Sequence, residues 1–193
     1  MIEEYGKTFF EKAERAEIVV PGDTWFATAA KDVRVMAQAY ASDGFVFLEK
    51  NDEVNALASF AYGNGWLDTG VKAGLIASFP VSLPTGVPPS GFKDGIPETL
   101  SDHLSEKTLR YERMLTTALV SVCINSEPEL PLYLAGTELC RIAHQHYHEG
   151  TTEIAHSNLA DGLARISYAY GWIDAGVRIG ILRVEENHEL FTM

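Results

Sequence analysis

The chain has only two cysteines, Cys123 and Cys140, and neither belongs to a CxxC pair. That excludes a disulfide framework or a zinc ribbon as the organising device, and both thiols are expected to be free and to pack as small apolar groups. Basic residues are also scarce. Fifteen Lys and Arg stand against 27 Asp and Glu, for a formal net charge of −12 and a pI near 4.8. Such an acidic surface repels a phosphate backbone, so nucleic acid is not an expected partner. No apolar run approaches the roughly 18 residues that a membrane-spanning helix requires, so no membrane association is expected either. Residues 1–5 lack a basic segment followed by an apolar one, and a cytoplasmic location is the expectation. A Gly-rich phosphate loop, a G-x-S-x-G elbow and an HExxH pair are all missing, and no catalytic set is visible.

What is present is a repeat. The 193 residues are 46% hydrophobic and 22% charged, ordinary values for a globular chain. Residues 55–76, NALASFAYGNGWLDTGVKAGLI, align without a gap on 161–182, DGLARISYAYGWIDAGVRIGIL, at an offset of 106. Nine of the 22 positions are identical, among them Tyr62/Tyr168, Gly65/Gly171, Trp66/Trp172, Asp68/Asp174, Gly70/Gly176 and Gly74/Gly180. Average composition would give about one or two matches. The same offset pairs Tyr5 with Tyr111, Ala37 with Ala143 and Gly44 with Gly150. The chain therefore divides into a first copy (1–77), a Pro/Gly-rich linker (78–98) and a second copy (99–193).

The linker holds five prolines and three glycines, which rule out a continuous helix and predict extended stretches where prolines cluster. Its Phe79, Leu83, Val87 and Phe92 predict that it lies along the protein. Each copy reads as three helices. In copy one these span about 3–18, then from a Thr24 cap to a turn at Lys50–Asp52, then to about 77. Phe26, Ala30, Val33, Ala37, Tyr40, Gly44 and Phe47 alternate in steps of four and three, one stripe down the second helix. Copy two repeats this over about 99–125, 131–156 and 158–187. The predicted class is all-α, as two tandem up-and-down three-helix bundles related by pseudo-two-fold symmetry.

GWLDTGVKAGL, GWIDAGVRIGI and the upstream FLEKNDEVNALASFAYG resemble the signature of the domain-of-unknown-function 357 family, uncharacterised helical proteins of archaea. The resemblance covers both copies. It implies a compact three-helix bundle for each and carries no assigned activity. In copy two, HQHYHEGTTEIAHS replaces YASDGFVFLEKN and departs from the pattern.

Three sets of residues invite chemistry. Asp68 and Asp174 sit among large apolar residues, so each carboxylate must find partners or shift its pKa. Lys72 and Arg178, at i+4, are the nearest candidates in sequence, and a neighbouring helix is the alternative. With Tyr62, Trp66, Tyr168 and Trp172 these aspartates form a repeated face, readable as packing or as a ligand pocket. His144 and His148, one turn apart, could hold a divalent metal, the only cofactor the residues invite, although no third ligand is evident. His146 takes the seam position of Tyr40 and should be more buried than either. Arg141 and His146 match a loose arginine-x4-histidine pattern of helical ribonucleases, but five residues on a helix place them about 140° apart.

These features favour a non-enzymatic interaction or scaffold protein with a protein partner. A small-ligand- or metal-binding protein is the alternative, and a helical ribonuclease the third reading. Identical glycine-lined faces suit an isologous contact. The segments around Gly65–Gly74 and Gly171–Gly180 are therefore expected to meet, within one monomer as an internal pseudo-dimer or across a homodimer.

Overall fold

In a computed structural model, which describes residues 1–80, 82–83, 86–87 and 90–192, the described residues form six α-helices. Copy one supplies α1 (Ile2–Glu14), α2 (Trp25–Glu49) and α3 (Glu53–Lys72). Copy two supplies α4 (Ser101–Val120), α5 (Pro131–Ala155) and α6 (Leu159–Arg178). Between α2 and α3, Asn51 adopts a left-handed backbone, φ 56°, and Ser157 does the same at the matching turn, φ 63°. Asp52 then caps α3 by accepting from the Asn55 amide at 3.0 Å. Thr24 occupies the N-cap of α2, but its hydroxyl donates to the Pro21 carbonyl instead of capping the helix.

The third helices end earlier than the periodicity predicts. Gly74 and Gly180 are not interior residues: they stop their helices in the left-handed region, at φ 71° and 83°. In each case the glycine amide bonds to the carbonyl three residues back, and the next amide reaches five residues back, to Gly70 or Gly176. This is a Schellman stop, which glycine alone enters without strain. The chain then turns back in extended form. Ile76 pairs with Ile18, and in copy two β1 (Val122–Ile124) pairs antiparallel with β2 (Leu182–Val184), with Ile124 opposite Leu182. The residues predicted as the ends of the first and third helices thus form a small clasp in each copy.

α3 and α6 lie at the centre. Both are apolar or small on nearly every side, and almost all of their residues are buried. They pack on each other, with α1 and α2 around α3 and with α4 and α5 around α6. One core, containing Phe9, Leu57, Phe60, Trp66, Leu139, Ile166, Trp172 and Ile173, runs through both copies. Of the linker residues, Leu83 and Phe92 are buried and Phe79 and Val87 pack against the core, as their apolar character predicts. In the stretch predicted to be extended, Pro84 and the Pro88–Pro89 pair lie outside the described residues.

Candidate functional site

The two copies meet where α3 crosses α6. A Cβ on Gly65 would run into the Tyr168 carbonyl and come 3.1 Å from the Gly171 Cα. One on Gly171 would run into the Tyr62 carbonyl and come equally close to Gly65. Only glycine removes the atom that would hold the backbones apart. Gly70 and Gly176 serve their own copies, facing Val33 and Leu139.

Each repeated tyrosine reaches across this junction to the other copy's aspartate. Tyr168 Oη donates to Asp68 at 2.8 Å, and Tyr62 Oη donates to Asp174. Each aspartate also accepts the backbone amide eighteen residues further on: Gly86 to Asp68 and Thr192 to Asp174, both at 2.8 Å. Asp68 and Asp174 are buried, and neither uses its i+4 neighbour as a hydrogen-bond partner. Lys72 pairs instead with Glu138 at 3.1 Å, and Arg178 with Asp32 at 3.0 Å. These are again reciprocal contacts across the junction. The i, i+4 spacing makes each pair neighbours along the helix, but the basic side chains reach outward to the surface of the opposite copy. Glu138, between Arg141 and Lys72, has its pKa held down to about 2 by hydrogen bonds from both.

The equivalence stops at the charges. Lys12 is fully buried and donates to Asp68 at 2.8 Å and to Asn64 at 2.7 Å. Asn64 also donates to Tyr5 and to the Gly86 carbonyl. At the offset of 106, Lys12 becomes Ala118 and Asn64 becomes Tyr170. Asp174 therefore has hydrogen bonds but no buried lysine, and burial pushes its carboxyl above the usual range against the pull of Tyr62, Thr192 and Arg178. Burial first, and the neighbouring carboxylate second, raise the Tyr62 and Tyr168 hydroxyls well above theirs.

The folded chain holds the Asp174 proton more tightly than the unfolded chain does. This residue's contribution is thus most favourable at low pH and is lost as pH rises through the carboxylate range. Asp174→Asn is expected to remove that slope and to leave neutral-pH stability within about 1 kcal/mol of the parent or above it. Urea titrations from about pH 4 to about pH 7 check this, and parallel profiles for the two proteins would assign the slope to another group.

Trp66 and Trp172 are buried on the central helices, and the Trp66 indole N–H has no acceptor among the described residues. They are packing residues of the shared core. His146 is half-buried, edge-on to Tyr168 at 4.7 Å, while His144 and His148 are exposed, as the Tyr40 register predicts. Burial lowers the His146 pKa. The His144 and His148 rings stack 6.4 Å apart, and among the described residues no group of three or more His, Cys, Asp or Glu is placed to hold a metal ion. Arg141 engages Glu138 and Gln145, whereas His146 lies beside Glu149, so the pair does not converge.

Two features were not anticipated from sequence. One is a cleft of about 340 Å³ between the copies, walled by Tyr40, Tyr62, Tyr111 and Tyr170, with buried Lys107 inside and exposed Asp43 among its lining residues. The available signal was a lysine inside an apolar stripe, Leu104, Lys107, Tyr111, Leu115 and Ala118. Lys12 sits likewise among Tyr5, Phe9 and Ala16. The other is the exposure of large apolar side chains where α2 and α5 begin: Trp25 at 95%, Phe26 at 66%, Leu132 at 44% and Leu134 at 70%. No described helix is long and apolar enough to cross a membrane.

A family model described as a protein of unknown function (DUF357) matches the chain twice, over residues 4–76 and 110–182. No curated protein and no solved structure matches it.

Proposed function

Because the chain belongs to the DUF357 family and carries two copies of its domain, we propose that it works as a non-enzymatic interaction module for a protein partner. The observation that carries this reading is the exposure of Trp25 and Phe26 on α2, matched by Leu132 and Leu134 at the same end of α5. A nearly bare tryptophan loses hydrophobic stabilisation in water, and tryptophan is among the residues that dominate protein interfaces. The Asp32–Arg178 and Lys72–Glu138 pairs tie both helix starts to the junction. The repeated Tyr and Asp residues, by contrast, bond to one another across the junction, and the two repeated tryptophans are buried in the core.

The test is a variant carrying Trp25→Ala and Phe26→Ala. Both side chains lie outside the core, so the expected change in stability is within about 0.5 kcal/mol. A photo-crosslinking residue at position 134 should give one discrete adduct in cells, and the double substitution should abolish it. Persistence of the adduct, or unfolding of the variant, would sink the proposal. Sedimentation at micromolar concentration separates a second copy of this chain from a different partner.

A further inference from the structure

The repeat relates two sides of the junction, and they are closed differently. On one side the chain covers itself. Asn64 and Asp68 hold Gly86, Asp161 accepts from the Gly91 and Phe92 amides at 3.0 Å, and Gly91 lies against Met1. The Phe92 ring is fully buried there, edge-on to Tyr5 at 5.4 Å. Shifting by 106 carries this surface to the other side. Tyr5 becomes Tyr111, Asn64 becomes Tyr170, Asp161 becomes Asn55, Tyr168 becomes Tyr62 and Met1 becomes Lys107. All five products of that shift line the 340 Å³ cleft. No described segment fills it.

We propose that this cleft binds a small aromatic carboxylate, with the ring against Tyr111 where Phe92 lies against Tyr5, and the carboxylate on Lys107 Nζ. Lys107 is buried as a residue, 6% exposed, and lines the cleft. Its ammonium holds one bond within the described residues. It donates to Tyr111 Oη at 3.1 Å and lies 4.4 Å from the centre of that ring. Among the described residues no carboxylate pairs with it. An ammonium carries three donors, and among the described residues Tyr111 takes one, which leaves donors aimed at an anion in the cleft. The nearby acids do not compete: Asp43 is exposed, and Asp174 already accepts from Tyr62 and Thr192. The volume suits one ring with a short acid arm. The cleft includes none of the exposed residues at the starts of α2 and α5, so failure to bind an acid there leaves that partner surface untouched.

Phenylacetate is the probe and phenylacetamide its neutral twin, titrated calorimetrically into the full chain. The acid should bind at least about tenfold more tightly than the amide, the scale of a charge-assisted hydrogen bond. Lys107→Met, which fills the same space, should bind the acid at least about tenfold more weakly and should melt no lower than the parent, since an under-satisfied charge is gone. Equal affinity for acid and amide, no binding of either, unchanged binding by the variant, or binding of inorganic phosphate in preference to phenylacetate would each overturn the proposal. The comparison of acid with amide uses the unmodified protein, so it decides the matter even where a variant fails to fold.

Discussion

Gly65→Ala is expected to break the junction between the copies, at a cost of about 3 kcal/mol or more. Overpacking a core by one methyl usually costs about 1–3 kcal/mol, because side chains can shift. Here the new Cβ would meet the Tyr168 carbonyl oxygen and the Gly171 Cα, both of them backbone on a central helix. Neither can yield without moving α6, and moving α6 strains the Tyr168–Asp68 and Tyr62–Asp174 bonds together. Gly171→Ala meets the mirrored obstacle in the Tyr62 carbonyl and should cost as much. The two together should cost less than their sum, since one separation of the helices relieves both. Gly22→Ala, where nothing lies within 4 Å, is the control. Chemical denaturation checks all four proteins, and a Gly65 variant as stable as the control would show that the helices do not approach so closely.

Lys12→Ala is expected to cost about 3–5 kcal/mol, the range for removing one partner of a buried ion pair. The substitution strands Asp68 and removes a donor from Asn64. Copy two shows how such a carboxylate survives. With Ala118 in the lysine's place, Asp174 keeps hydrogen bonds from Tyr62 and Thr192 and has a raised pKa. Adding Asp68→Asn to Lys12→Ala should therefore recover a large part of the loss, since a neutral amide can still bond to Gly86 and Tyr168. Thermal melts of both variants near neutral pH decide it. If the single variant loses under about 1 kcal/mol, the buried pair is not what anchors α1 to α3.

Helix count, repeat register and the meeting of the glycine faces were legible in the sequence, because each rests on periodic apolar spacing or on residues repeated at a fixed offset. The helix ends were less so. Apolar spacing continues past Gly74 and Gly180 into the clasp strands, and only the left-handed backbone at those glycines reveals the stop. The partners of Asp68 and Asp174 were hidden for a different reason. Tyr168 and Tyr62 lie 100 and 112 residues away from them, and sequence neighbourhood points instead to Lys72 and Arg178. Lys12 and Lys107 were missed because a lysine on an amphipathic helix normally keeps its head in water.

Two domains on one short tether face each other at roughly millimolar effective concentration, so their contact withstands dilution that would separate free subunits. A two-fold dimer imposes every substitution on both of its faces at once. A tethered pair escapes that rule, and each half can change alone: Ala118 where its twin has Lys12, Tyr170 for Asn64, Lys107 for Met1. One gene thereby encodes a duplicated scaffold with two unlike sides, one sealed by its own Phe92 and the other left open.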